Sequence, residues 1–151
     1  MFAAFVALSL AAATADEPKL SEAAQKELKK LEGKWKPTKV VINGNDENAG
    51  DKDVLIEIKG RMLTAIENGK EREVFEFVAL DPSVTPKLLD LKALMDMGPL
   101  KKGTVYEAIY KLDGDDLSLA VYVGEGKQRP EKLESEKESN VVVVTLKREK
   151  K

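Results

Sequence analysis

The segment Tyr106–Val123 reads YEAIYKLDGDDLSLAVYV, two runs of alternating apolar residues on either side of an Asp-Gly turn. This arrangement is the strongest short-range sequence signal for a β-hairpin. The residues expected on its apolar face are Tyr106, Ala108, Tyr110, Leu112, Leu117, Leu119, Val121 and Val123. Because one hairpin cannot bury that face alone, the rest of the chain is expected to supply further strands of the same antiparallel sheet.

The chain from residue 35 onward repeats this pattern of apolar alternation between turn residues. The further strands that it predicts are Trp35–Ile42, Val54–Lys59, Arg61–Glu67, Lys70–Leu80, Leu88–Leu94 and Val141–Arg148. Asn43–Asp46 and Asn68-Gly69 are expected to be turns between strands. With the hairpin, these segments predict a mainly β protein, an eight-stranded antiparallel up-and-down barrel that leaves no free sheet edge. A two-sheet sandwich is the alternative.

The first 15 residues are apolar and end in Ala13-Thr14-Ala15, a pattern typical of a signal peptide and its cleavage site. The run is shorter than the about 20 apolar residues needed to span a bilayer. We therefore expect residues 1–15 to be removed, residues 16–151 to form one domain, and the protein to be exported to a periplasmic or extracellular location. No integral membrane segment is expected after cleavage.

A single N-terminal helix is predicted at about residues 21–32. Ser21 is suited to be its N-cap, and Gly33 to follow its end. Ala24, Leu28 and Leu31 form a narrow apolar stripe, and the remaining lysines and glutamates are expected to be solvated. The helix is therefore expected to lie over one end of the sheet, and a partner-binding helix is the alternative.

The composition excludes several classes of function. The chain has 25 Lys and Arg against 27 Asp and Glu, with lysines interleaved among glutamates, which argues against a nucleic-acid-binding protein. It has no Cys and no His, so it has no disulfide, no thiolate site and none of the usual histidine bases or zinc ligands. We expect no enzymatic activity, no metal and no cofactor; any catalysis would depend on Asp, Glu, Lys, Tyr or Arg.

Several short motifs, taken in their order along the chain, resemble a small exported protein family that is abundant in planctomycete bacteria. The segments that carry the resemblance are Leu28–Trp35, Leu80–Pro82, Thr85–Leu91, Ile109–Leu117, Arg129-Pro130 and Leu146–Arg148. Members of that family usually have no assigned function. This chain departs from the family pattern at Ala108, where the family usually has Gly, and at Leu133, where it usually has an aromatic residue.

That family is itself lipocalin-like, and the resemblance implies how one end of the barrel is closed. Gly33-Lys34-Trp35 is similar to the Gly-x-Trp that opens the first lipocalin strand, where the Trp plugs the barrel end. An arginine near the last strand packs across that ring in the family. Arg148 matches this position and Arg129 is the rival; the contact would be a cation–π pair.

The aromatic residues of the strands are the candidates for a binding cavity. Those expected to line a small apolar cavity, or otherwise to fill the core, are Phe75, Phe77, Tyr106, Tyr110 and Tyr122. Arg129 is a candidate for an anionic ligand at the barrel mouth, with a structural anchor as the alternative. The ligand-binding set is therefore Phe75, Phe77, Tyr106, Tyr110 and Arg129.

Acidic residues offer two further candidates, both with ordinary structural explanations. Asp113, Asp115 and Asp116 lack the spacing of a complete calcium loop and are expected to form the turn. Glu107 is expected on the outer face; only an inward position would make it a buried acid–base group.

Together these observations predict an exported, non-catalytic binding protein that holds a small apolar or amphipathic ligand in the barrel or at its mouth. The alternative is a structural or protein-interaction module of the cell envelope with a solid core, whose partner would be an envelope protein.

Overall fold

The computed structural model describes residues 19–47, 49 and 53–150. The predicted signal peptide at residues 1–15 therefore lies outside the described residues. The described chain contains one α-helix and nine strands. They are α1 (Glu22–Leu31), β1 (Gly33–Ile42), β2 (Asn45–Asp46), β3 (Val54–Lys59), β4 (Met62–Glu67), β5 (Lys70–Asp81), β6 (Lys87–Ala93), β7 (Val105–Asp113), β8 (Asp116–Tyr122) and β9 (Val141–Arg148).

The strands form one antiparallel sheet that closes on itself. Strands β3 to β9 follow one another across the sheet in chain order, and β1 lies next to β3. The sheet closes because β1 also pairs with β9, from Trp35 opposite Arg148 to Ile42 opposite Val142. The eight long strands therefore form a closed barrel, and the predicted fold class is confirmed in place of the sandwich.

The turns predicted from Asp-Gly and Asn-Gly lie where the sequence places them. In the hairpin of β7 and β8, Asp113 lies opposite Asp116, and Gly114 has a φ of +60°. Asn68 and Gly69 both have positive φ, the geometry of a type I′ turn. The expectation that Asn43–Asp46 is only a turn is wrong in part, because Asn45 and Asp46 pair with the end of β1 as β2.

Helix α1 lies over one end of the barrel, which we call the helix end. Ser21 is its N-cap and accepts a hydrogen bond from the Ala24 amide at 3.1 Å, as predicted. The apolar stripe of Ala24, Leu28 and Leu31 is buried in the main core cluster. That cluster fills the barrel from the helix end, where Trp35, Ile58, Leu89, Tyr110, Leu117 and Leu146 belong to it, toward the opposite end, where Val74, Leu91 and Ala108 belong to it.

A second, smaller cluster lies on the outside of the barrel wall. It is formed by Ile109, Ala120 and Val143, whose neighbours in sequence point into the barrel. Leu133, from the long connection between β8 and β9, packs on this cluster. The connection at residues 123–140 therefore covers part of the outer wall, which the sequence pattern did not predict.

Within the described part of the chain, no helix combines the length and the apolar character that crossing a membrane requires.

Candidate functional site

The predicted closure of the barrel by Trp35 and Arg148 is present. Trp35 is fully buried, and its indole Nε1 donates to the Leu31 carbonyl at 2.9 Å. The Arg148 guanidinium carbon stands 4.2 Å from the Trp35 ring centroid. Its two terminal nitrogens donate to the carbonyls of Lys30 and Glu32, each at 2.7 Å. Arg148 therefore joins the last strand to the C-terminal carbonyls of α1, which the helix itself leaves without partners.

Gly33 is the third member of this closure. Its φ is +136°, and a Cβ at this position would lie 2.9 Å from Nη1 of Arg148. A side chain here would therefore strain the backbone and displace the guanidinium. The glycine of the Gly-x-Trp motif is explained by these two requirements.

A buried carboxylate under α1 was not predicted. Glu27 was expected to be solvated with the other charged residues of the helix, and that expectation is wrong, because only 3% of its surface is exposed. Lys87 Nζ donates to Glu27 Oε1 at 2.6 Å, and the Tyr110 hydroxyl donates to the same oxygen at 3.1 Å. The spacing of Ala24, Glu27, Leu28 and Leu31 on one helix face was the signal that could have revealed it.

The charge of Glu27 is stabilised in place. Burial alone raises the pKa of Glu27, but the hydrogen bonds from Lys87 and Tyr110 and the positive charges of Lys87 and Lys30 outweigh it, and the pKa lies below its ordinary value. Burial, with the neighbouring charge of Glu27, raises the pKa of Tyr110, so its hydroxyl keeps its proton and remains a donor. This network fastens α1 to β6 and β7.

The predicted ligand-binding aromatics do not form one site. Phe77 and Tyr110 are each 1% exposed and belong to the main core cluster. Phe75 is half-buried and packs against the same cluster. These three residues fill the barrel, whereas Tyr106 lies at a cleft at the opposite end from α1.

That cleft opens because β7 and β8 separate. β7 remains paired with β6 as far as Val105, and β8 with β9 as far as Tyr122, but the last pair that joins β7 to β8 is Ala108–Val121. The resulting cavity of about 360 Å³ is here called the rim cleft. It is lined by Pro99, Lys101, Thr104, Val105, Tyr106, Glu107, Tyr122, Val123, Gly124, Gly126, Lys127 and Gln128.

Two tyrosines are held in fixed positions in the rim cleft. The Tyr106 hydroxyl accepts a hydrogen bond from the Lys101 amide at 2.8 Å. The Tyr122 hydroxyl donates to the Glu125 carbonyl at 3.3 Å. A Cβ on Gly124 would lie 2.5 Å from the Tyr122 hydroxyl oxygen, so the glycine allows the ring to fold against the backbone. Hydrogen bonds to the backbone therefore fix the tyrosine ring on each side of the cleft.

Arg129 lies on the outer face of the wall rather than inside the barrel. Its Nη1 donates to the Ala108 carbonyl at 2.7 Å, and its Nη2 donates to Asp90 Oδ1 at 2.7 Å. Glu107 Oε1 stands 3.9 Å from the same Nη2. Arg129 fastens the connection after β8 to β6 and β7, directly beside the cleft residues Lys127 and Gln128. This geometry is that of the structural anchor; the ligand-binding role stays a prediction.

The acidic candidates have structural positions. Glu107 points to the outer face, as predicted, because Tyr106 and Ala108 on either side of it are buried. Asp115, in the hairpin turn, pairs with Arg148 Nε at 3.3 Å and with Lys150 at 3.4 Å. Residues 19–47, 49 and 53–150 contain no cluster of three or more His, Cys, Asp or Glu with the arrangement to hold a metal ion.

Two other depressions are less suited to a ligand. One of about 510 Å³ lies outside the helix end beside Gly33 and Arg148, where the guanidinium is already engaged. One of about 130 Å³ lies beside Arg129 and Asp90, which are paired with each other. The rim cleft also falls within the range of about 300–1,000 Å³ typical of small-molecule pockets, and its lysine side chains form no ion pair with any described residue.

Lys101, Thr104, Lys127 and Gln128 were not predicted to belong to a site. They lie in connections whose sequences show glycine, proline and charge but no periodicity, so no pattern in the chain places them together. In a comparison with known proteins, the chain matches no family model, no curated protein and no solved structure.

Proposed function

We propose that this protein is an exported, non-catalytic binding protein that holds a small amphipathic ligand at the mouth of its barrel. The observation that carries the proposal is the separation of β7 from β8, which opens the rim cleft between Tyr106 and Tyr122. Aromatic rings beside a few polar groups are typical of small-molecule sites.

The packing of the barrel supports a site at the rim rather than at the helix end. The helix end is occupied by the main core cluster, and the polar group that enters it, Glu27, is satisfied by Lys87 and Tyr110. A ligand there would have to displace packed side chains, at the cost of their contacts. The rim cleft requires no such displacement.

The chemistry of the cleft supports binding rather than catalysis. Its described lining contains one carboxylate, Glu107, which lies near the Arg129 guanidinium. The chain has no His or Cys to act as a base or nucleophile. Export is part of the proposal and is supported by the apolar run and the Ala13-Thr14-Ala15 pattern.

Native mass spectrometry of protein purified from its own host tests the proposal. We expect a fraction of the protein to carry a small molecule that is released on denaturation. Thr104→Trp, which fills the cleft, should abolish that added mass. Lys111→Trp, at an exposed position of β7 outside the cleft, is the control and should retain it. Protein that is always unladen, or cargo that persists in Thr104→Trp, would contradict the proposal.

A second candidate is a structural or protein-interaction module of the cell envelope. It is favoured by the packed helix end and by the way that Leu133 and Arg129 hold the long connection on the outer wall. If this candidate is correct, an envelope protein should remain bound in stoichiometric amount through purification. The same native mass spectrum should then show no added mass from a small molecule.

A further inference from the structure

The rim cleft presents hydrogen-bond donors that the protein itself does not use. The Tyr106 hydroxyl accepts from the Lys101 amide, and no described residue accepts the hydroxyl's own proton. The side chains of Thr104 and Gln128 form no hydrogen bond with described residues, although they line the cavity. A ligand that supplies acceptors would therefore find several donors already in place.

The cleft also has an excess of positive charge. Lys101 and Lys127 line it, and neither forms an ion pair with any residue in the described part of the chain. The one acidic group in the described lining, Glu107, has the Arg129 guanidinium 3.9 Å from its carboxylate. The arrangement therefore favours an anion, and a cation would meet two lysines close by.

The remaining lining sets the shape of the ligand. Val105, Val123 and the ring of Tyr122 provide an apolar wall, and the Tyr122 hydroxyl already donates to the Glu125 carbonyl. A volume of about 360 Å³ is at the low end for ligand pockets, so a single ring fits better than a long alkyl chain. Stacking or edge contact with a tyrosine favours a planar ring.

We propose that the rim cleft selects a small organic carboxylate attached to a ring, with the carboxylate near Lys101, Lys127 and the Tyr106 hydroxyl and the ring against Tyr122. This inference rests on the proposed binding function and specifies its ligand class. Hydrogen bonds from lysine and tyrosine to a carboxylate are charge-assisted and stronger than those to a neutral oxygen.

The test compares three probes of nearly equal size and different charge: benzoate, benzyl alcohol and benzylamine. Each is titrated into ¹⁵N-labelled protein at constant ionic strength, and the amide shifts of residues 101–106 and 122–128 are followed. We expect saturable shifts for benzoate, with an affinity at least about tenfold higher than that of benzyl alcohol, and the weakest binding for benzylamine.

Two variants separate local recognition from net charge. Lys101→Ala with Lys127→Ala should reduce benzoate affinity to that of the alcohol. Lys111→Ala with Lys147→Ala removes the same charge from exposed positions that do not line the cleft and should leave the preference unchanged. Equal affinity for the three probes, tighter binding of benzylamine, or equal loss in both double variants would overturn the inference.

An absence of cleft shifts with all three probes would also overturn it. That result would not test the proposed binding function itself, which depends on whether native mass spectrometry of the host-purified protein shows a bound small molecule. The two proposals can therefore fail separately.

Discussion

Arg148 stacks on Trp35 at 4.2 Å, directly across the β1–β9 pair that closes the barrel. The same guanidinium donates to the carbonyls of Lys30 and Glu32 at the end of α1. One side chain thus ties together the first strand, the last strand and the helix. The guanidinium therefore connects the last strand to two elements at the other end of the sequence.

Arg148→Lys tests whether the planar geometry of the guanidinium contributes to stability beyond its positive charge. Lysine keeps the charge but cannot donate to both carbonyls while it covers the indole, so we expect a loss of about 2–3 kcal/mol in the free energy of unfolding. Urea denaturation followed by tryptophan fluorescence measures it, since Trp35 is the single tryptophan. Lys147→Ala, at the exposed neighbouring position, is the control. A loss no larger than that of the control would show that the contact contributes little.

Gly33→Ala should be destabilising for two reasons, the φ of +136° and the new Cβ placed 2.9 Å from Arg148. We expect a cost of about 2–4 kcal/mol from backbone strain and a displaced guanidinium. Gly69→Ala is the matched control, because Gly69 also has positive φ but its Cβ would meet no atom within 4 Å. Equal costs in the two variants would mean that the close approach of Arg148 is not important.

Glu27→Gln should make the stability less dependent on pH. The folded pKa of Glu27 lies below its ordinary value of 4.5, so its charged form stabilises the fold above that pH, and this contribution is lost as pH falls through the folded pKa. At pH 7 we expect wild type to exceed the variant by about 1–3 kcal/mol.

Urea unfolding of both proteins between pH 7 and pH 3 measures this difference. The gap should be constant above about pH 4.5 and should close below it. Glu22→Gln, at an exposed position in the first turn of the same helix, should show a smaller gap, of at most about 0.3–1 kcal/mol from the helix dipole. A gap that widens with acidification would refute the assignment of Glu27 as the charged partner of Lys87.

Arg129→Met should loosen the connection beside the rim cleft without unfolding the barrel. It removes the donors to the Ala108 carbonyl and Asp90 while it keeps most of the length of the side chain. We expect amide hydrogen exchange in the connection at residues 123–140, where the amides of Val123, Ser139 and Asn140 are hydrogen-bonded, to accelerate at least about tenfold, with smaller changes in β3 and β4. Lys132→Met, whose ion pairs are exposed, should leave the exchange of this segment unchanged. Uniform acceleration throughout the protein would indicate a global rather than a local effect.

The hydrophobic pattern predicted the number and order of the long strands, because alternation of apolar and polar residues indicates which side chains face the core. The strands Val54–Lys59 and Val141–Arg148 have the predicted bounds. The burial of Glu27 could not be predicted in this way. It depends on Lys87 and Tyr110, which are distant in sequence and contact the carboxylate only in the folded protein. β2 was missed because two residues are too few to show a period.

The sequence by itself determined the eight long antiparallel strands, the N-terminal helix with its Ser21 cap, and the Asn-Gly and Asp-Gly turns, since local periodicity and backbone preferences specify these features. The pairing of β1 with β9, which closes the barrel in place of a sandwich, was decided by the tertiary structure. The Gly-x-Trp resemblance also anticipated the Trp35–Arg148 contact. Only the tertiary structure decided that Tyr110 anchors Glu27, that Arg129 lies on the outer wall, and that Tyr106 and Tyr122 flank a cleft. Those placements depend on where β7 and β8 stop pairing and on how aperiodic connections fold back on the barrel, and such non-local contacts leave no periodic mark in the chain.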